Sequence, residues 1–134
     1  MAIFVSDSPE KTKQFGEQYA KTLIAGDVVI LNGEMGAGKT VFAKGVAAGL
    51  GIDDEILSPT YAYMNDYYGK LYHFDCYRLN CGEQAEALGL TDYFYADGVC
   101  LVEWAENISS VLPDKVKTVT IRKLSDDVRE IEYE

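Results

Sequence analysis

Hydrophobic and polar residues change period several times along the chain, and each change marks an element. Ser8-Pro9-Glu10 has the chemistry of a helix start: Ser8 caps, Pro9 fits the first turn, and Glu10 sits at the positive end of the dipole. Phe15, Tyr19 and Leu23 follow at i, i+4 and i+8 as one apolar stripe, with Gly26 the expected stop. Val28-Val29-Ile30-Leu31 is a continuous apolar run, as expected of a strand buried on both faces. A second helix is expected from about Lys39, with Phe42, Val46 and Leu50 inward, Ala43 and Ala47 beside them, and Gly49 and Gly51 at its end. Ser58-Pro59 is incompatible with a helix interior. Residues 60–68 read as an aromatic-rich strand, Gly69-Lys70 as a turn, and 71–74 as the returning strand of a hairpin. Residues 82–88 form a short helix ended by Gly89. Val99-Cys100-Leu101-Val102 is a second wholly apolar strand, 116–121 alternates, Ser125-Asp126-Asp127 turns, and 128–133 is the last strand. The expected fold is α/β, a mixed sheet with a parallel centre and an antiparallel hairpin and edge strands.

Composition narrows the class. A chain of 134 residues with 48% hydrophobic and 25% charged residues is expected to fold as one domain, 1–134. No apolar run reaches the ~18–20 residues of a membrane span, and residues 1–7 lack a signal peptide's basic start, so the expected location is the cytoplasm. Twelve Lys plus Arg against 22 Asp plus Glu leave a net charge of −10, which excludes an independent grip on nucleic acid and disfavours anionic membranes. Cys76, Cys81 and Cys100 form no C-x-x-C pair and there is one histidine, so no zinc site is expected. Cys100, inside an apolar strand, reads as a small buried residue.

The chemistry enters with Gly33-Glu34-Met35-Gly36-Ala37-Gly38-Lys39-Thr40, which satisfies G-x-x-x-x-G-K-[ST] between an apolar strand and a helical pattern. The glycines let backbone N–H groups approach phosphate, and the following helix, through Lys39, Thr40 and Val41, directs its positive end at the anion. Lys39 reaches the β and γ phosphates as a point charge, and Thr40 offers a hydroxyl to Mg²⁺. With Gly at ~7% of residues, the bare pattern arises by chance in well under ~1% of chains this long. The loop implies a nucleoside triphosphate and leaves the reaction open. No N/T-K-x-D guanine-reading segment is present, which favours ATP. Three arginines, Arg78, Arg122 and Arg129, are thin for the lid of a small-molecule kinase.

Such a site needs an acid at a neighbouring strand end. Four apolar residues followed by Glu103 make a Walker B-like arrangement; the bland alternative is a solvent-facing strand end. Asp75 is the second candidate, its alternative an ordinary turn residue. Arg78 reads equally as a stabiliser of transition-state charge or as an ion-pair partner. His73 reads as a half-buried, satisfied histidine, Thr60 as a switch-like hydroxyl, and Trp104 as a packing residue or a shield over the site.

Taken together, the phosphate loop, Ser58-Pro59-Thr60-Tyr61, His73-Phe74-Asp75-Cys76-Tyr77-Arg78-Leu79, Leu88-Gly89-Leu90-Thr91-Asp92-Tyr93-Phe94 and Leu101-Val102-Glu103-Trp104-Ala105-Glu106 resemble the TsaE family over nearly the whole chain. The resemblance implies a three-layer P-loop NTPase fold. It also implies a weak ATPase of tRNA threonylcarbamoyladenosine synthesis that binds the TsaB–TsaD pair when loaded with ATP. Hydrolysis would then support turnover of that pair, which modifies adenosine 37 of tRNAs reading codons that begin with A. By position, Lys39 contacts phosphates, Thr40 and Glu103 serve Mg²⁺, and Asp75 and Trp104 line the site. Residues 6–12 lie near the base, and Arg129 approaches the nucleotide from the last strand. Contact with tRNA runs through the partners. Two departures stand out: Asn107 replaces a basic residue common after E-W-x-E, and the chain stops at Glu134 without the tail some members carry. The rival readings are a metabolite kinase and a nucleotide-sensing module with negligible hydrolysis.

Overall fold

The computed structural model describes residues 2–34, 36–53 and 63–134. The expectations for Met35, for Ser58-Pro59-Thr60-Tyr61 and for the start of the hairpin lie outside the described residues. The elements are β1 (Ala2–Ser6), α1 (Pro9–Ala20), β2 (Val28–Gly33), α2 (Lys39–Gly49), β3 (Met64–Tyr67), β4 (Leu71–Asp75), α3 (Gly82–Ala87), β5 (Val99–Glu103), β6 (Lys117–Lys123) and β7 (Arg129–Tyr133), with 3-10 segments at Leu90–Tyr95 and Ala105–Val111. The strands form a seven-stranded mixed sheet. β2 and β4 each run parallel to β5, while β3 with β4, β6 with β7 and β1 with β7 are antiparallel, so the expected parallel centre and antiparallel edges are present.

Two elements depart from expectation. Helix α1 ends at Ala20 rather than running to Gly26, because the amides of Lys21, Thr22 and Leu23 bond back only three residues and Thr22 Oγ1 donates to the Tyr19 carbonyl at 2.7 Å. Those tight turns close the helix, and Gly26, at φ +91°, serves the turn into β2 instead. Strand β1 was not expected. Ile3 and Val5 are 59% and 56% exposed, so most of its apolar residues lie on the outer face and only Phe4 packs inward, and its ladder to β7 is what makes it a strand.

The chain divides into two compact units. The first contains β1, α1, α2, β7 and nearly all of β6. Its core is aromatic: Phe15 lies 4.9 Å from both Phe4 and Tyr133, ring centre to ring centre, and Tyr19 and Phe42 complete the cluster at 5.8 Å. Helices α1 and α2 pack backbone to backbone. A Cβ on Gly16 would stand 2.6 Å from the Phe42 carbonyl oxygen, and one on Gly45 would enter the Lys13 carbonyl. Glycine inside a helix costs up to about 1 kcal/mol relative to alanine, a cost offset here by the close approach it permits.

The second unit contains Val28–Leu31 of β2 with β3, β4, β5, α3 and the 3-10 segments. The pleat sorts its strands into two faces. Tyr72, Phe74, Cys100 and Val102 enter a core with Leu90, Phe94 and Ile108. Full burial of one such side chain, Phe74 at 0% exposed, contributes about 1.5–3 kcal/mol. Leu71, His73 and Asp75 of β4 share the opposite face with Val99, Leu101 and Glu103 of β5, since Asp75 pairs in register with Glu103 and His73 with Leu101.

Candidate functional site

In the first unit the phosphate loop leaves β2 at Gly33, where only glycine fits. A Cβ there would lie 2.9 Å from the Ile121 carbonyl oxygen and 3.3 Å from Lys39 Cγ. Gly36 and Gly38 adopt φ +80° and +104°, a region L side chains enter at a cost of about 1–2 kcal/mol. The Ala37 amide closes a turn on the Glu34 carbonyl at 3.0 Å, and the Phe42 amide makes the first helical bond to Gly38. Gly38 is the N-cap of α2 and brings no side chain, and the first turn carries no acid. The leading N–H groups of α2, next to Lys39, Thr40 and Val41, therefore lack the side-chain cap that helix starts usually have, which is the condition for anion binding.

A cavity of about 230 Å³ opens at this loop. Gly36, Gly38, Lys39, Thr40 and Val41 line it from the loop and α2, Ser8, Pro9 and Thr12 from the start of α1, and Asp126, Asp127 and Arg129 from the β6–β7 turn and the start of β7. The α1 side is held rigidly. Ser8 Oγ caps the Lys11 amide at 3.2 Å, and the buried Ser6 hydroxyl bonds Thr12 Oγ1 and the Ser8 carbonyl, both at 2.7 Å. Arg129 donates from Nε to the Ala37 carbonyl at 2.9 Å and from Nη2 to that of Gly36 at 3.3 Å. Its Nη1 donates to the carbonyls of Ser125, Asp126 and Val128. Arg129 and the start of α1 thus line the same cavity as the loop, and Arg129 spends these donors on backbone carbonyls.

In the second unit Glu103 ends β5 in register with Leu31 of β2 on one side and Asp75 of β4 on the other. Glu103 is only 9% exposed and His73 only 1%, and their Nε2···Oε2 separation is 2.6 Å. His73 is therefore wholly rather than half buried, and its partner is the expected metal-site acid. Asp75 accepts the Tyr77 amide on Oδ1 at 3.0 Å, a turn-forming contact that matches its plainer reading. The amide of Cys76 bonds the Glu103 carbonyl at 3.0 Å. Burial, helped by the charge of Asp75, pushes the Cys76 thiol up to about 12.

Trp104 takes a left-handed conformation, φ 59°, and stands edge-on to Tyr77 at 5.0 Å, with both rings partly in solvent. Arg78 lies over the Tyr63 ring at 4.9 Å. Asn107, the departure noted after E-W-x-E, donates to the carbonyls of Cys76 and Tyr77 at 3.1 and 3.3 Å and braces the turn that carries Asp75. Sequence reasoning missed this brace and the His73–Glu103 pair. The available signal for the pair was the period of two that sets His73 and Asp75 on one face of β4.

The chain is similar to known proteins in sequence and fold. The chain matches the family described as "Threonylcarbamoyl adenosine biosynthesis protein TsaE" over residues 6–131. A "tRNA threonylcarbamoyladenosine biosynthesis protein TsaE" of Treponema pallidum is 43% identical over 129 residues, covering 95% of this chain and 96% of that one. Its namesake in Bacillus subtilis is also 43% identical over 129 residues, covering 94% and 80%. The crystal structure of Bacillus subtilis YdiB aligns at 40% identity with a TM-score of 0.82, over 98% of this chain and 83% of that one.

Proposed function

The chain belongs to the TsaE family of tRNA threonylcarbamoyladenosine biosynthesis, and from that premise we propose that residues 1–134 act as a single P-loop domain that binds ATP with Mg²⁺ and hydrolyses it slowly. The observation that carries this reading is the uncapped start of α2 behind Gly38, opening on a cavity lined by Lys39 and Thr40. Backbone N–H groups of residues 33–40 cradle the phosphates, the Lys39 ammonium binds the β and γ groups, and Val41 continues the cradle into α2. Arg129 braces the loop, and Ser8, Pro9 and Thr12 wall the side for the base. The Thr40 hydroxyl and the Glu103 carboxylate would hold the metal, a donor set that suits a cation taking one or two protein ligands beside phosphate oxygens. Magnesium bound there would neutralise charge on those oxygens. Asp75 or Glu103 orients the attacking water, and Trp104 shields the site.

In this reading the protein joins the TsaB–TsaD complex in an ATP-dependent way and supports its turnover in the cytoplasm, with tRNA held by the partners. The net charge of −10 supports that division of labour, since a chain so acidic is ill suited to grip phosphate backbones alone. No described helix is long and apolar enough to cross a membrane. The test is retention of the chain on immobilised TsaB–TsaD in ATP, ADP or no nucleotide, with hydrolysis measured in parallel. Retention that depends on ATP together with slow hydrolysis is expected. Equal retention in all three states, or hydrolysis stimulated by a metabolite instead of the complex, would count against it.

A further inference from the structure

We propose that His73 is a positioning residue for Glu103, holding its carboxylate in the orientation the site uses; this rests on the reading of Glu103 as an active acid. The two strands create the pair. β4 and β5 are parallel, and the register Asp75 to Glu103 places His73 one pleat back on the same face. A side chain as long as imidazole spans that diagonal. The contact, Nε2 to Oε2 at 2.6 Å, is slightly shorter than ordinary charge-assisted N–H···O bonds, and both groups are buried. A carboxylate acting as metal ligand only accepts, so the proposed role requires the proton on Nε2.

Two further observations separate this from ordinary core packing. The main chain of Glu103 is tied at its own carbonyl by the Cys76 amide at 3.0 Å, so residue 103 is held at backbone and carboxylate alike. In addition, His73 Nδ1 is buried with no partner among the described residues. A histidine retained only for stability gains by satisfying both nitrogens. Here the ring is committed through Nε2 to the acid. Groups that orient an active carboxylate or metal ligand in this way commonly set activity by about 10–100-fold.

The chain has one histidine, which makes the test direct. In the full nucleotide-free chain, long-range ¹H–¹⁵N correlation of that imidazole should show the Nε2-protonated tautomer, with a pattern that changes in Glu103→Gln. An Nδ1-protonated ring, or a pattern indifferent to Glu103→Gln, overturns the proposal. With TsaB–TsaD present, His73→Leu should lower kcat for ATP hydrolysis about 10–100-fold with KM for ATP little changed. His73→Gln, whose amide nitrogen falls near the position of Nε2, should recover most of that loss. Equal loss in both variants, or a change in KM alone, overturns it. Should His73→Leu fail to fold, the tautomer and His73→Gln carry the decision. Wild-type hydrolysis in Glu103→Gln overturns the reading of Glu103 itself, whereas an inactive Glu103→Gln beside a fully active His73→Leu overturns the positioning role alone.

Discussion

Arg129 Nε donates to the carbonyl oxygen of Ala37 at 2.9 Å, joining the start of β7 to the phosphate loop. The guanidinium also reaches Gly36 and three carbonyls of the β6–β7 turn, so one planar fork sets the shape of two segments. Lysine cannot reproduce a fork, because its ammonium is a single point of donation. Arg129→Lys is expected to weaken ATP binding about tenfold, and Arg129→Ala to lower stability by about 1–3 kcal/mol as well. Nucleotide titration and a denaturant midpoint measure the two effects. ATP affinity unchanged in Arg129→Ala would refute the brace.

The two glycine classes in the first unit predict opposite behaviour. Gly45 lies in α2 against the Lys13 carbonyl, and an alanine methyl has no room there. Gly45→Ala should cost about 1–3 kcal/mol, or about 3–12 °C in melting temperature for a chain this size, by forcing α1 and α2 apart. At Gly36 a methyl would meet nothing within 4 Å, but the backbone sits at φ +80°. Gly36→Ala should therefore leave the core intact, cost about 1–2 kcal/mol of local strain, and act mainly on nucleotide affinity. Thermal melts with and without ATP separate the two: Gly45→Ala should keep the ATP-induced rise in melting temperature and Gly36→Ala should lose most of it, and the reverse pattern would contradict the account.

What the sequence disclosed follows from how local each signal is. Strands β2 and β5 were legible because each carries a continuous apolar run; β5 is buried throughout, as are Val28, Val29 and Leu31 of β2. The phosphate loop was legible because its chemistry demands glycines, lysine and threonine at fixed spacing. β1 was not, since its exposed Ile3 and Val5 flank an inward Phe4 without an apolar–polar alternation to show it, and its definition comes from pairing with β7 at the far end of the chain. The His73–Glu103 pair depended on the register of β4 against β5, thirty residues apart, and the carbonyl partners of Arg129 in the phosphate loop lie more than ninety residues away. Periodicity reveals faces, whereas such contacts need the register.

The cysteines should differ sharply in reactivity. Burial pushes the thiols of Cys76 and Cys100 from 9.0 up to about 12, while Cys81 is half-buried. The thiolate is the reactive form, so at about pH 8 the two buried thiols stay protonated and hidden. A thiolate-directed reagent should modify Cys81 in the native protein and the other two only after denaturation. The same shifts carry a stability term. Unfolded thiols ionise near pH 9 and folded ones near pH 12, so this contribution is complete below pH 9 and is lost as pH rises through that window. Three rapidly reacting thiols in the native state would contradict the burial.

Lys39 tests the functional reading most directly. It opens α2 behind a glycine cap, where the helix end supplies a fixed partial positive field, and in the proposed reading its ammonium would add a full charge toward the β and γ phosphates. Its aliphatic stem lies against Gly33, so truncation removes charge while the loop's glycine geometry remains. Lys39→Ala is expected to fold with near-normal stability, to lose ATP hydrolysis by at least about 100-fold, and to leave cells that rely on it without threonylcarbamoyladenosine in their tRNA. Nucleoside analysis of tRNA from a strain whose sole copy carries Lys39→Ala measures the last effect. Wild-type levels of the modified base in that strain would show that the pathway does not need triphosphate bound at this loop.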